Sequence, residues 1–146
     1  MNDLTIAAKI ALANTFILYF KAHSFHWNVE GSNFPQYHEF LGDFYEEVHG
    51  AVDTMAEEIR ALGDYAPRSL DEMYKFKTIE DQNNAISATD MLANLANANA
   101  ATIESLNKLF GMLTAANEQG FANFIADRLD AHKKHAWMLR SILKAG

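Results

Sequence analysis

The stretch Phe34–Gly63, FPQYHEFLGDFYEEVHGAVDTMAEEIRALG, decides the fold. On a helical wheel at about 100° per residue, Phe40, Leu41, Phe44, Val48, Val52, Met55 and Ile59 gather on one side. Glu39, Asp43, Glu46, Asp53 and Glu57 fall within about 80° on the other. This is the pattern of one long amphipathic helix. Asn33 and Gln36 are spaced as a capping box, Pro35 lies in the first turn, and Gly63 closes the run, so the helix is expected from Phe34 to about Leu62.

The flanking sequence repeats the theme. A first helix is expected from about Asp3 to Asn28, with Gly31 as its stop signal. After Gly63 comes a connection of about two dozen residues, too long for a bare loop. Ser69 and Glu72 form a second capping-box pattern there, so a short helix is expected over roughly Leu70–Lys77. Leu92, Leu95, Ile103, Leu106, Leu109 and Leu113 mark a third long helix over about Thr89–Ala116. Gly120 separates it from a fourth, striped by Phe121, Phe124, Ile125, Leu129, Ala136, Leu139 and Leu143. Four long helices with a long crossover between the second and third predict an all-α, ferritin-like four-helix bundle rather than an up-down-up-down one.

Composition agrees. The chain has 146 residues, two prolines and no cysteine, which excludes disulfides and thiolate metal sites. The N-terminus lacks the basic region of a signal peptide, and Lys9 and Lys21 bracket too few apolar residues for a membrane span, so the cytoplasm is the expected compartment. Phe34–Leu62 holds seven acidic residues and one basic, and so carries −6 of the net −7.

An anionic helix face is either a solvated surface or a cation site. Asp53 and Glu57, one turn apart, could share a cation. Oxygen donors alone suit magnesium, calcium or manganese, and imidazole shifts the preference toward iron or zinc. His38 lies fifteen residues before Asp53, about 22 Å along a helix, so one metal cannot reach both within one chain. Antiparallel pairing of this helix with its copy, about a twofold axis near Glu46–Val48, sets His38 of one chain level with Asp53 and Glu57 of the other. His26 at the end of the first helix could complete the site. The intrachain alternative needs two Glu-x-x-His motifs, and Glu46–His49 is the only one present.

With these residues in view, the chain resembles the Dps family, the mini-ferritins named as DNA-binding proteins from starved cells. The likeness is carried by HWN at His26–Asn28, YHEF around His38 and VDTMAEEIRALG at Val52–Gly63, with HKKHAWMLRSIL similar to the family's last helix. The spacings of twelve, fifteen and four residues between His26, His38, Asp53 and Glu57 fit the family's ferroxidase pattern. The resemblance implies a single domain over residues 1–146 and a hollow homododecamer storing a ferric mineral. It also implies iron sites at twofold interfaces, where ferrous ions are oxidised with hydrogen peroxide preferred over oxygen. His26, His38, Asp53 and Glu57 become the metal-binding and catalytic residues, with Glu57 the bridge, iron the metal and zinc an admissible substitute. Trp27 falls where the family has an aromatic near the iron, as a quencher of stray oxidising equivalents or as simple packing. Glu46 and Glu47 would nucleate mineral if they face the cavity.

Three departures stand out. Many members carry a lysine-rich tail for DNA binding; here the first helix begins almost at once, and twelve copies at −7 would carry about −84, which repels DNA. A DNA-coating shell is therefore the alternative reading rather than the main one. Glu118 and Asp127 are counterparts of the family's iron-entry acids, but Asn123 stands where an aspartate is common. The last helix reads His132-Lys133-Lys134 where the family has His-Glu-Lys. Of the remaining histidines, His23 is expected as a hydrogen-bonded packing residue, and His132 and His135 as structural.

Overall fold

The computed structural model describes residues 2–144, and every element among them is helical. Helix α1 spans Asp3–Asn28, α2 Phe34–His49, α3 Val52–Ala61, α4 Leu70–Phe76, α5 Ala88–Ala115 and α6 Gln119–Leu143. The bundle is made by α1, the α2–α3 pair, α5 and α6: α1 packs against α2, α3, α4 and α5, and α5 packs along α6. In length and composition α1 does qualify as a membrane span, contrary to the expectation above, with a mean hydropathy of 1.3 over an 18-residue window. Sixty-one per cent of that window is buried inside the protein, because α1 is the helix with most neighbours.

The single helix expected over Phe34–Leu62 is divided. At Gly50 and Ala51 the backbone tightens to ψ of −17° and −18°. The Ala51 N–H donates to Val48 O at 3.1 Å, three residues back instead of four. The axis resumes as α3, which ends at Gly63 (φ 98°). There the Gly63 and Asp64 amides donate to Arg60 O and Ile59 O, the double bond pattern that closes a helix on a left-handed residue. Asn33 does precede α2, but its side chain makes no capping bond.

Elsewhere the caps act as their residue types dictate. Ser69 Oγ accepts from Glu72 N at 3.1 Å, and Ser87 Oγ accepts from Asp90 N at 3.1 Å. The stop between α5 and α6 is Asn117 (φ 60°), not Gly120, which lies inside α6. Asn supplies the left-handed turn because its short amide tolerates it. The long crossover is stitched to α1: Asn14 Oδ1 accepts from Thr78 N and its Nδ2 donates to Thr78 Oγ1, both at 2.8 Å, while Lys21 Nζ donates to Glu80 O at 3.1 Å.

Two apolar clusters fill the interior. One gathers Leu18, Phe25, Leu41, Phe44, Leu92, Leu95 and Leu139; the other gathers Leu12, Met55, Ile59, Leu106, Leu109, Leu113, Phe121 and Ile125. Each buried Leu or Phe contributes about 1.5–3 kcal/mol of transfer free energy. Between the two sets, in chain order along α5 and α6, lie buried polar residues: Asn99 and Thr102 on one helix, Arg128, His132 and His135 on the other. The core is two oily ends around a polar waist.

Candidate metal centre

His26 lies in the last turn of α1, where carbonyls have no amide four residues ahead to bond. His38 is one turn into α2. The two side chains exchange bonds with each other's backbone: His26 Nδ1 to His38 O at 2.7 Å, and His38 Nδ1 to His26 O at 2.8 Å. A carbonyl only accepts, so both Nδ1 atoms carry a proton, and in the neutral ring Nε2 then holds the lone pair. The rings stack at 3.7 Å with 15° between planes, and Phe34 stacks on His38 from the other side at 4.9 Å. Gly42 makes room, since a β-carbon there would stand 3.2 Å from His26 Cε1. The result is two parallel imidazole donors with fixed tautomers, the second-sphere arrangement that orients metal-binding histidines.

Asp53 and Glu57 occupy successive turns at the start of α3, and both are exposed. The structure therefore places the four predicted ligands as two pairs. It does not bring the pairs together: among the described residues no three His, Asp or Glu side chains group to hold a metal within one chain.

Beside His26 lies a cluster of rings. His23 stacks on Tyr45 at 3.8 Å and 8°, and its Nδ1 lies 3.0 Å from Tyr19 Oη. Trp27 leans on His23 at 4.2 Å, and Tyr45 meets the His26 ring edge-on at 5.3 Å. His23 is thus the hydrogen-bonded packing residue expected.

The polar waist is a network of side chains bonded to one another, with Arg128 Nε and His135 Nδ1 buried and left without a hydrogen-bond partner. Arg128 holds Glu47 with two bonds, Nη1 to Oε2 and Nη2 to Oε1, the latter at 2.9 Å. Arg128 Nη2 also donates to His132 Nε2 at 3.1 Å, which makes Nδ1 of His132 the donor to Asn99 Oδ1 at 2.9 Å. Asn99 returns a bond to His132 O at 3.0 Å, and His135 Nε2 donates to Glu47 Oε1 at 2.8 Å. Burial alone would push the Glu47 carboxyl up, but bonds from His135 and Arg128 and the charges of both hold it far below the ordinary carboxylate range. Burial, then the charges of Arg128 and His135, push His132 down to about 3 against the opposing pull of Glu47. Glu47 is thus paired inside its own chain with Arg128 and His135.

Known proteins match this chain over nearly its whole length. Residues 9–146 fit the ferritin-like domain family. The DNA protection during starvation protein of Brevibacillus brevis is 31% identical over 134 residues, covering 91% of this chain and 89% of that one. The chain belongs to the ferritin-like family, in its Dps branch. Antigen TpF1 of Treponema pallidum is 34% identical over 139 residues, covering 92% of this chain and 76% of its own. Its crystal structure superposes with a TM-score of 0.92 at 28% identity, covering 97% of this chain and 92% of that chain. Dps from Staphylococcus aureus gives 0.93 at 26% identity, covering 99% and 97%. For a ferritin-like chain the waist is informative, because facing helices of such bundles elsewhere project carboxylates and histidines inward to hold metal. Here Arg128 is the cation at that level. The sequence reading missed this, although Arg128, His132 and His135 at helical spacing on an apolar stripe were its visible trace.

Proposed function

We propose that this Dps-branch protein oxidises ferrous iron at sites shared between two chains and keeps the ferric product inside a hollow dodecamer in the cytoplasm. The observation that carries the reading is the pair of Nε2 lone pairs on His26 and His38, with both Nδ1 atoms tied to backbone. An imidazole so oriented binds ferrous iron without reorganising, and carboxylates such as Asp53 and Glu57 favour the ferric product. The two exposed acids are supplied by a second copy across a twofold axis, so one antiparallel contact builds two equal sites.

Hydrogen peroxide is the preferred oxidant in this reading, since two ferrous ions match its two-electron reduction: 2 Fe²⁺ + H₂O₂ + 2 H⁺ → 2 Fe³⁺ + 2 H₂O. The carboxylates stabilise the charge that appears on the metals, and the histidines hold the second, more weakly bound ferrous ion. Iron is the metal that the family relation supports; nothing in it supports zinc. The name of the Brevibacillus relative refers to DNA protection. At −7 per chain, protection by removing iron and peroxide is favoured over coating the polyanion.

The test is complementation. A His26→Gln/His38→Gln chain keeps its acids, and an Asp53→Ala/Glu57→Ala chain keeps its histidines; each alone is expected inactive. Co-assembled at random, half of the pairs are mixed and each mixed pair regains one intact site of two, so about a quarter of the wild-type rate returns. Ferric absorbance after a peroxide pulse on anaerobically loaded protein measures it, with retention in a particle of about 200 kDa (twelve chains of 16.4 kDa) on a sizing column. Recovery of no activity in verified mixed particles would place the site within one chain and end this reading.

A further inference from the structure

The crossover covers a cation on α1 that lacks most of its partners. Lys21 is 6% exposed, and among the described residues its ammonium makes one hydrogen bond, to Glu80 O at 3.1 Å. An ammonium carries three donors, so two are left over. The Phe25 ring, its centroid 5.7 Å from Nζ, offers a face but no lone pair. Burial pushes the Lys21 amine down, and the nearby Asp81 carboxylate offsets only part of that.

Lys21 lines two cavities against the crossover. The smaller, about 150 Å³, has Asp81 and Tyr74 in its wall. The larger, about 210 Å³, lies between the crossover and α5 and brings Lys21 and Thr78 together with Asn94 and Asn97, beside the apolar Ile79, Ala98 and Ala101. Thr78 Oγ1 accepts from Asn14 and keeps its own proton to give. Asn94 and Asn97 stand three residues apart on one face of α5, and neither amide bonds to another described residue. Asn99, in the same run ANLANANAA at residues 93–101, is instead buried and bonded to His132. Asparagine forms helix less readily than the alanines around it, so helix formation does not explain the unbonded pair.

We propose that the larger cavity is a binding site for a short aliphatic monocarboxylate, held by Lys21, Asn94 and Asn97 between α1, the crossover and α5. The donors left over define the head group: one carboxylate oxygen takes the ammonium, and the other takes an amide N–H. The walls define the tail, because Ile79, Ala98 and Ala101 offer only methyl and methylene surface to it. Size sets its length. At about 30 Å³ for each water-sized group, the cavity holds about seven, and butyrate has six non-hydrogen atoms. Charge limits the head to a single negative one, since Asp81 already acts on Lys21 and Glu80 stands in the cavity wall, where a dianion such as phosphate would be repelled. An anion beside Lys21 also offsets the cost of burying its charge.

The experiment adds carboxyl-¹³C butyrate to the full-length protein without added iron. Broadening of the butyrate resonance is expected to saturate at about one ligand per chain with a Kd below about 1 mM. At about ten times that Kd, backbone amides of residues 78–80 that exchange when the crossover opens should exchange about tenfold more slowly. Lys21→Met keeps the stem and removes the ammonium, and should weaken binding at least about tenfold. Asn94→Ala with Asn97→Ala leaves Lys21 and its bond to the crossover in place; it should weaken binding about three- to tenfold, and it serves where Lys21→Met fails to fold. Butyrate that binds both variants as tightly as wild type is bound elsewhere and overturns the site. So does the absence of saturable binding, which would mean that water completes the ammonium. Inorganic phosphate that displaces butyrate at equal concentration would overturn the monocarboxylate class.

Discussion

Two pairs of histidines sit in this molecule under opposite terms. His132 and His135 lie in the waist of the bundle, buried beside Arg128, Glu47 and Asn99, with both ring nitrogens of His132 bonded. His26 and His38 lie at the seam of α1 and α2, half-buried, with one nitrogen each bonded to backbone and the other left open. The residue type is the same, and the partners differ: side chains of a buried network in the waist, backbone carbonyls at the seam. In the waist His132 is bonded at both ring nitrogens, and the unbonded Nδ1 of His135 is buried. At the seam the backbone bond fixes the tautomer that leaves Nε2 of each neutral ring with its lone pair, the form in which an imidazole can bind a cation.

That contrast is tested most strongly at the seam's missing partners. Asp53→Ala with Glu57→Ala is expected to slow ferrous oxidation by about 10²–10³-fold, while folding stability moves by no more than about 0.5 kcal/mol, since both side chains are exposed. Stopped-flow ferric absorbance and urea denaturation measure the two. Normal kinetics in that double variant would remove the acids from the site and with them the functional half of the contrast.

At the waist the outcome should invert. Arg128→Leu leaves Glu47 and His132 without their shared donor, and breaking a buried pair of this kind costs about 3–5 kcal/mol. The lower end applies, about 3 kcal/mol, because the Glu47 side chain is 40% exposed and water can reach it. The urea midpoint should fall accordingly, with the rate of ferrous oxidation per folded particle unchanged. A fall in rate without a fall in midpoint would show that the waist belongs to the chemistry.

How much of this the sequence held differs between the two regions. The seam's candidate residues could be picked out because they are spaced along consecutive helices: twelve, fifteen and four residues separate His26, His38, Asp53 and Glu57, and helix geometry turns those numbers into positions. The waist was not, because its bonds join Glu47 to Arg128 and His135, and Asn99 to His132, across 81, 88 and 33 residues. No local periodicity encodes such pairings. The break at Gly50 was hidden for another reason: one glycine within a strong helical pattern costs only about 1 kcal/mol and rarely ends it. Asn117 was passed over as the stop before α6 because Gly120, three residues on, is the more familiar signal.

Acid should destabilise the waist. His132 is held neutral with its proton affinity pushed down to about 3, below its ordinary value of 6.5. The unfolded chain therefore binds a proton that the fold refuses, and stability declines as pH falls from about 6.5 toward 3. Glu47, also held low, adds a loss of the same sign that begins near its ordinary value of 4.5. Urea midpoints between pH 7 and 4 should fall with a slope approaching one proton in wild type and flatten in His132→Gln. An unchanged slope in that variant would assign the acid sensitivity to other groups.

The smallest expected effect asks whether the seam is tuned or merely present. Gly42 lies inside α2, where alanine would ordinarily stabilise the helix by up to about 1 kcal/mol. A β-carbon there would stand 3.2 Å from His26 Cε1 and 3.4 Å from Nδ1, closer than comfortable contact, so the ring must yield by a few tenths of an ångström. Cε1 joins the two ring nitrogens, and pressing on it tilts Nε2 while straining the 2.7 Å bond from Nδ1 to His38 O. Gly42→Ala should therefore keep or slightly raise the thermal midpoint and weaken ferrous binding by about three- to tenfold in anaerobic titration, the range in which supporting contacts tune metal sites. A higher midpoint with unchanged affinity would mean that His26 tolerates rotation, and that the reciprocal backbone bonds fix its tautomer but not its aim.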